Sequence, residues 1–234
     1  MSTEIIQKIF DGLDETIVGQ RMAKVGLALA LLSRQHAYLE GPPGCGKSAL
    51  AVSLGELSGA KTKTLRFHRD MREHELLGEA VLVRKNVKGG EQINRKSVDG
   101  PFRSSQVVIL DDMSRAPGEA LAPLLRILGE RRLRGEVIPL ETAVTTALPP
   151  SQEIYSDPLE PSQLDRFAVQ VRMQGLLLGG DWTRSRRVFD NPTSSEPKFI
   201  SSKQRQWLQE KSKSITVPSK IRQQWLDVLE LIHS

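Results

Sequence analysis

Cysteine is almost missing from this 234-residue chain: Cys45 stands alone, which excludes an internal disulfide and any zinc cage built on cysteines. Long apolar runs are missing too. The longest, Val25 to Leu32, has eight residues, against the ~20 that a membrane-spanning helix needs. The opening MSTEIIQKIFDGLDE lacks the basic-then-apolar order of a secretory signal, and its acids disfavour mitochondrial import. A soluble, cytoplasmic protein with no membrane partner is expected. Aromatic residues make up only 5% of the chain and are not interleaved with its basic stretches, so a base-stacking nucleic-acid surface is disfavoured. What is present is of globular type. With 38% hydrophobic and 26% charged residues, wholesale disorder is excluded. The length fits one large domain, or one domain with a small appendage.

The net charge of +5 is unevenly placed. Residues 1–171 balance, with 22 basic and 22 acidic side chains, so the surplus lies in 172–234, with 11 basic and 6 acidic. Arg84, Lys85, Lys88, Arg95 and Lys96 form a second basic concentration around Glu91. A solvated basic face is the simplest account of both, with a protein-partner surface as the alternative.

Met22, Val25, Leu29 and Leu32 recur at helical spacing over residues 21–34. Ala37-Tyr38-Leu39 then runs straight into glycines and prolines, as a buried strand entering a tight loop does. Leu50, Leu54 and Leu57 predict a helix from Lys47, and Thr64 to Phe67 a second strand. Residues 81–103 are polar, basic and broken by Gly89-Gly90, which predicts a projecting hairpin or insert. Val107-Val108-Ile109-Leu110 is the clearest strand, of the kind buried on both faces of a parallel sheet. A helix face follows at Leu121, Leu124, Leu125 and Leu128, then strands at 143–146 and 168–171. This alternation implies an α/β fold, a parallel sheet flanked by helices. A Gly-, Asp-, Asn-, Pro- and Ser-rich stretch reads as a linker. The expected organisation is an α/β core over 1–178, a linker over 179–201 and the start of a small helical subdomain over 202–234.

Gly41-Pro42-Pro43-Gly44-Cys45-Gly46-Lys47-Ser48 fits G-x-x-x-x-G-K-[ST] at every fixed position, after a strand and opening a helix. Glycines let backbone N–H groups cradle phosphate oxygens, and the helix start at Lys47, Ser48 and Ala49 turns its positive end toward them. Lys47 is expected to reach the β- and γ-phosphates and the Ser48 hydroxyl to ligate Mg²⁺. A nucleotide with Mg²⁺ is the expected ligand, and the family resemblance described next implies that the nucleotide is ATP. Cys45, inside the loop, is read as a small residue at a variable position rather than a reactive thiol. The apolar strand ending in Asp111-Asp112 supplies a second site: Asp111 to hold Mg²⁺ through its water shell, Asp112 to polarise the attacking water.

These motifs together resemble the AAA+ ATPases of the MoxR group, and among those the RavA-like branch. Ile17-Val18-Gly19-Gln20 is similar to the box that packs on adenine, which assigns Val18 and Gly19 to the nucleotide. Tyr38 to Gly44 resembles the family's entry to the phosphate loop. Glu75-Leu76-Leu77-Gly78, the basic hairpin and Gly100-Pro101-Phe102 resemble the helix-2 insert. Asp111-Asp112-Met113-Ser114-Arg115-Ala116-Pro117 is similar to D-E-I-N-R-A-P, and Leu164-Asp165-Arg166-Phe167 to the L-D-R-F box. Residues 199–233 look like the opening helices of the RavA-type lid, with the sensor-2 Arg expected later than this stretch. The resemblance implies a hexameric ring with ATP between subunits and Arg166 as an arginine finger. It also implies remodelling or maturation of a protein client, with a von Willebrand factor A domain as a possible adaptor.

Three positions depart from the pattern. Asp112 stands for the catalytic Glu, setting the carboxylate back by roughly 1.5 Å, where a ~1 Å misplacement can already cost ~10²-fold. Ser114 stands for Asn. No Asn occurs between Asn94 and Asn191, so the sensor-1 amide is missing, with Thr145 or Thr146 as its only hydroxyl substitute. ATP binding is therefore the firmer expectation, and a weakly hydrolysing regulatory or scaffold subunit is the alternative to an active remodelling ATPase. The chain has no N-K-x-D box, which argues against a GTPase.

Overall fold

Five short strands with apolar alternation build the sheet that carries the site. The computed structural model describes residues 2–87, 90–149, 159–175 and 199–233. Strands β1 (Ala37–Glu40), β2 (Thr62–Arg66), β5 (Val107–Asp111), β8 (Thr142–Ala147) and β9 (Val169–Arg172) lie in the order β2-β5-β8-β1-β9. Every neighbouring pair is parallel. Side chains of successive residues leave a strand on opposite faces. Val107 and Ile109 accordingly join one buried cluster, while Val108 and Leu110 join the other. Likewise Ala37 and Leu39 face the first cluster and Tyr38 the second. This two-sided burial makes the central strands near-continuous apolar runs, and it leaves the edge strands β2 and β9 half-exposed.

Helices α1 (Ser2–Thr16), α2 (Arg21–Ser33) and α3 (Lys47–Leu57) cover the first face. The first of these was not among the sequence expectations; Ile5, Ile9 and Leu13, spaced by four, are its buried stripe. Helices α4 (Glu73–Leu77), α5 (Pro101–Ser104) and α6 (Gly118–Glu130) cover the other face. The expected insert is a β-hairpin of β3 (Gly78–Val87) and β4 (Gly90–Asp99), antiparallel from Gly78↔Asp99 to Val87↔Gly90. A small second hairpin, β6 (Arg132–Leu133) and β7 (Glu136–Val137), follows α6. Helix α7 (Pro161–Leu164) leads into β9, and α8 (Ser202–Lys213) and α9 (Ser219–His233) end the described chain. Most of the expected linker lies outside the described residues.

Helix α8 docks at the end of the sheet where its strands begin, opposite the phosphate loop. Its Ser201 N-cap accepts a hydrogen bond from the Gln204 N–H at 3.2 Å. Its buried face carries Arg205, Leu208 and Gln209. Arg205 is fully buried and donates to Glu141 Oε2 at 3.2 Å and to the Ser58 carbonyl at 2.9 Å. Gln209 donates to the same Glu141 oxygen at 2.9 Å and to the Leu31 carbonyl at 3.0 Å. Glu141 directly precedes β8, so this network ties α8 to the sheet itself. An unpaired buried charge would cost several kcal/mol, and here both charges are met.

At the same end, His36 takes the N–H of Ala143 on Nδ1 at 2.9 Å and faces the Leu128 carbonyl through Nε2 at 3.0 Å. That pattern requires the neutral ring protonated on Nε2. Burial, against the pull of the Leu128 carbonyl and with help from Arg131, lowers its pKa to about 4.

Candidate functional site

The carboxyl ends of β1, β5 and β8 lie side by side at one edge of the sheet, the usual place for a ligand in a parallel α/β fold. Strand β1 delivers the glycine-rich loop, which turns into α3 at Lys47. The loop is held close from two sides. A Cβ on Gly41 would lie 2.7 Å from the Met173 carbonyl oxygen, just past β9. Gly46 has φ +88°, and a Cβ there would lie 2.9 Å from Ile17. Glycine is therefore required at both by space or by backbone. The second contact also places the Ile17–Gln20 box, with Val18 and Gly19 half-buried, against the loop. Gln20 Nε2 donates to the Gln174 carbonyl at 2.6 Å, tying the box to the segment after β9. Gln20 and Gly19 both have positive φ, 52° and 74°, making the sharp turn into α2.

Lys47 is buried, and its ammonium donates to the Gly41 and Pro42 carbonyls at 2.7 and 2.8 Å. Its head lies across the loop it belongs to. The Cys45 thiol is buried beneath, 4.0 Å from that nitrogen. Pro43, Gly44 and Ala49 are exposed, so the outer rim of the loop is open.

Ser48 and Asp111, 63 positions apart, meet: Ser48 Oγ donates to Asp111 Oδ1 at 2.5 Å. Thr146, on β8, donates to the same oxygen at 2.8 Å and accepts the Asp112 N–H at 3.0 Å. Between the two hydroxyls the sequence left open, Thr146 faces the acid; Thr145 Oγ1 is buried and has no hydrogen-bond partner among the described residues. Arg66 Nε approaches Asp111 Oδ2 at 3.3 Å, a contact the sequence did not foretell. Burial raises the Asp111 pKa, but the hydrogen bonds from Ser48, Thr146 and Arg66 together outweigh it and lower the value below the ordinary one. The carboxylate is thus ionised at neutral pH.

A divalent cation fits this arrangement. An ionised carboxylate and a serine hydroxyl converge beside a helix N-terminus. Among the described residues no three His, Cys, Asp or Glu side chains cluster as a self-contained metal cage. A metal here would complete its shell with phosphate oxygens and water, as Mg²⁺ does.

Asp112 differs from its neighbour. Its backbone is left-handed, φ 57°, and its carboxylate lies 3.9 Å from Arg115 Nε. Asp tolerates that backbone better than longer side chains do, because its short polar group can bond locally. The geometry gives a local reason for Asp where the motif has Glu. Ser114 is buried in the turn that follows.

Arg166 stands apart from the loop. It is exposed and donates to the Ser162 carbonyl at 3.0 Å, back along α7. Its neighbour Phe167 is buried and packs on Tyr38 of β1, ring centroids 5.6 Å apart.

The dynein-related AAA domain family matches residues 36–157, more than half of the chain. The chain belongs to that family. The AAA domain is also similar to two curated proteins. It is 26% identical over 173 residues to the uncharacterized protein YeaC of Bacillus subtilis, across 72% of this chain and 52% of that one. It is 26% identical over 163 residues to Chaperone MoxR1 of Mycobacterium tuberculosis, across 67% of this chain and 41% of that one. The AAA chain thus spans about half the length of the curated relatives it matches. A solved structure of a candidate ATPase from Cytophaga hutchinsonii superposes with TM-score 0.70 at 20% identity, across 95% of this chain and 68% of that one. That likeness concerns the fold. Among the described residues no helix is long and apolar enough to cross a membrane.

Proposed function

We propose that this AAA domain binds ATP with Mg²⁺ and hydrolyses it between neighbouring copies of a hexameric ring. The observation that carries this is the meeting of Ser48 and Asp111 at 2.5 Å, directly beneath a complete phosphate loop. In this reading the Gly41–Ala49 loop holds the phosphates, Lys47 neutralises the β- and γ-groups, and Val18 and Gly19 border the base. Ser48 and Asp111 would hold Mg²⁺, which supplies charge neutralisation on the phosphates. Asp112 orients the attacking water, and Arg166 faces the neighbour's γ-phosphate. The likeness to MoxR1, whose name describes a chaperone, supports remodelling of a protein client in the cytoplasm. A RavA-like placement and a von Willebrand factor A domain adaptor belong to this proposal, as do the core, linker and lid boundaries at 178 and 201. The test is ATP turnover against protein concentration. Specific activity should rise with assembly, because each site would be completed by its neighbour; concentration-independent activity would refute the shared site.

A second reading, a slow nucleotide-binding scaffold, is favoured by one observation: Asp112 is short and sits on a left-handed backbone. Asp112→Glu should separate the two. Restoring the methylene is expected to raise turnover ~10-fold, a barrier change of about 1.4 kcal/mol. The longer side chain on that backbone should cost about 1 kcal/mol or less of stability. Phosphate release at saturating ATP, with the thermal midpoint alongside, measures both. An unchanged or lower rate would mean that the turn has adapted to Asp and that its length does not limit the reaction.

A further inference from the structure

Arg66 is the last residue of β2, and the parallel register sets it directly beside Asp111. Its guanidinium approaches Asp111 Oδ2, while Ser48 and Thr146 both occupy Oδ1. The two carboxylate oxygens are thus divided, one toward the phosphate loop and one toward a cation of the chain itself. Asp111 is nearly buried, whereas the Arg66 side chain is 77% exposed. The pair contributes little to folding in that setting. A fixed positive charge beside a metal-holding carboxylate nevertheless matters to any cation that arrives there.

We infer that Arg66 sets the metal affinity of the site: its charge, held beside Asp111 Oδ2, opposes a divalent cation at Oδ1. The inference rests on the proposal that Ser48 and Asp111 hold the metal of a bound nucleotide. Two like-signed groups a few ångströms apart near a surface repel modestly, and salt screens that repulsion in part, more strongly as the Debye length falls from about 10 Å at 0.1 M to about 3 Å at 1 M. Removing the charge should therefore strengthen metal binding at low salt and do so less as salt rises.

The experiment titrates Mn²⁺ into the chain saturated with a non-hydrolysable ATP analogue and follows free metal by electron paramagnetic resonance. For Arg66→Gln the metal dissociation constant is expected to fall about 5-fold at low ionic strength, the gain shrinking in high salt. Arg66→Lys, which keeps the charge, should stay within about 2-fold of the parent. Analogue affinity in EDTA should fall no more than about 2-fold for Arg66→Gln, whose lost charge also lies near the phosphates, and should hold for Arg66→Lys; thermal midpoints confirm folding. Equal metal affinity for parent and Arg66→Gln overturns the inference. A loss of analogue affinity in EDTA of about 10-fold or more overturns it too, since Arg66 would then be contacting phosphate. If the parent binds analogue but no Mn²⁺, the metal site itself falls; if it binds neither, the nucleotide reading falls with it.

Discussion

Arg166→Ala is expected to lower steady-state ATP turnover about 10³-fold while ATP affinity stays within a few-fold. The residue is exposed and makes its one described hydrogen bond to the Ser162 carbonyl behind it. Nothing in that contact serves its own phosphate loop. Its base, however, is firm: Phe167 is buried against Tyr38, in the strand that feeds the loop. A rigid mount with an outward guanidinium suits a group that stabilises charge across an interface, where a fixed donor acts without reorganisation. Phosphate release and analogue binding should be measured together. If affinity collapses while the rate per bound ATP stays normal, Arg166 serves its own subunit and the finger assignment fails.

Lys47→Ala should weaken ATP binding by roughly 100-fold or more, the scale of two charge-assisted hydrogen bonds. In the structure Lys47 spends its protons on the Gly41 and Pro42 carbonyls at 2.7 and 2.8 Å. Binding would exchange those carbonyls for phosphate oxygens, which carry full charge. Lys47 and the Gly41 carbonyl are buried, so the variant leaves an acceptor without its donor and should also lose about 1–2 kcal/mol of stability. Fluorescent-analogue affinity is the measurement, and an unchanged dissociation constant would mean the loop is not the site. The two variants also test each other. One lacks a working loop but keeps the finger, and the other the reverse, so mixing them should restore part of the turnover if the finger acts across the interface. No recovery in a mixed assembly would argue for action within one subunit.

Much of this was legible because it is local. The loop from Gly41 to Ser48 is a contiguous pattern, and the run Val107–Leu110 announces a strand buried on both faces by composition alone. The hairpin around Gly89-Gly90 was visible in the same way, although the strands extend further back, to Gly78. Strand β2 begins two residues before the expected Thr64 because Thr62 and Lys63, polar on an edge strand, give no apolar signal. Helix α1 had its signal in Ile5, Ile9 and Leu13. Other features come from register between distant segments and leave no mark on the chain. Arg66 meets Asp111 only because β2 and β5 pair in that frame. Thr146, rather than Thr145, faces the acid because alternate residues of β8 leave the sheet on opposite sides. The seat of α8 at Glu141 depends on a contact 64 residues apart. The expectation that the basic stretch from Arg84 to Lys96 forms a solvated face concerns side chains outside those described.

The two hydrogen bonds of Thr146 leave that residue with no proton to offer a newcomer. A threonine hydroxyl has one proton, and Asp111 takes it; one lone pair is already engaged by the Asp112 amide. An asparagine amide would bring two protons and could keep one for a third phosphate. At the tip of β8 a γ-phosphate, bound as proposed, would therefore find no donor on Thr146. If the ring proposed above forms, telling triphosphate from diphosphate would fall to Lys47 on one side and to the adjoining subunit on the other, and the nucleotide state would be sensed by the assembly more than by the protomer.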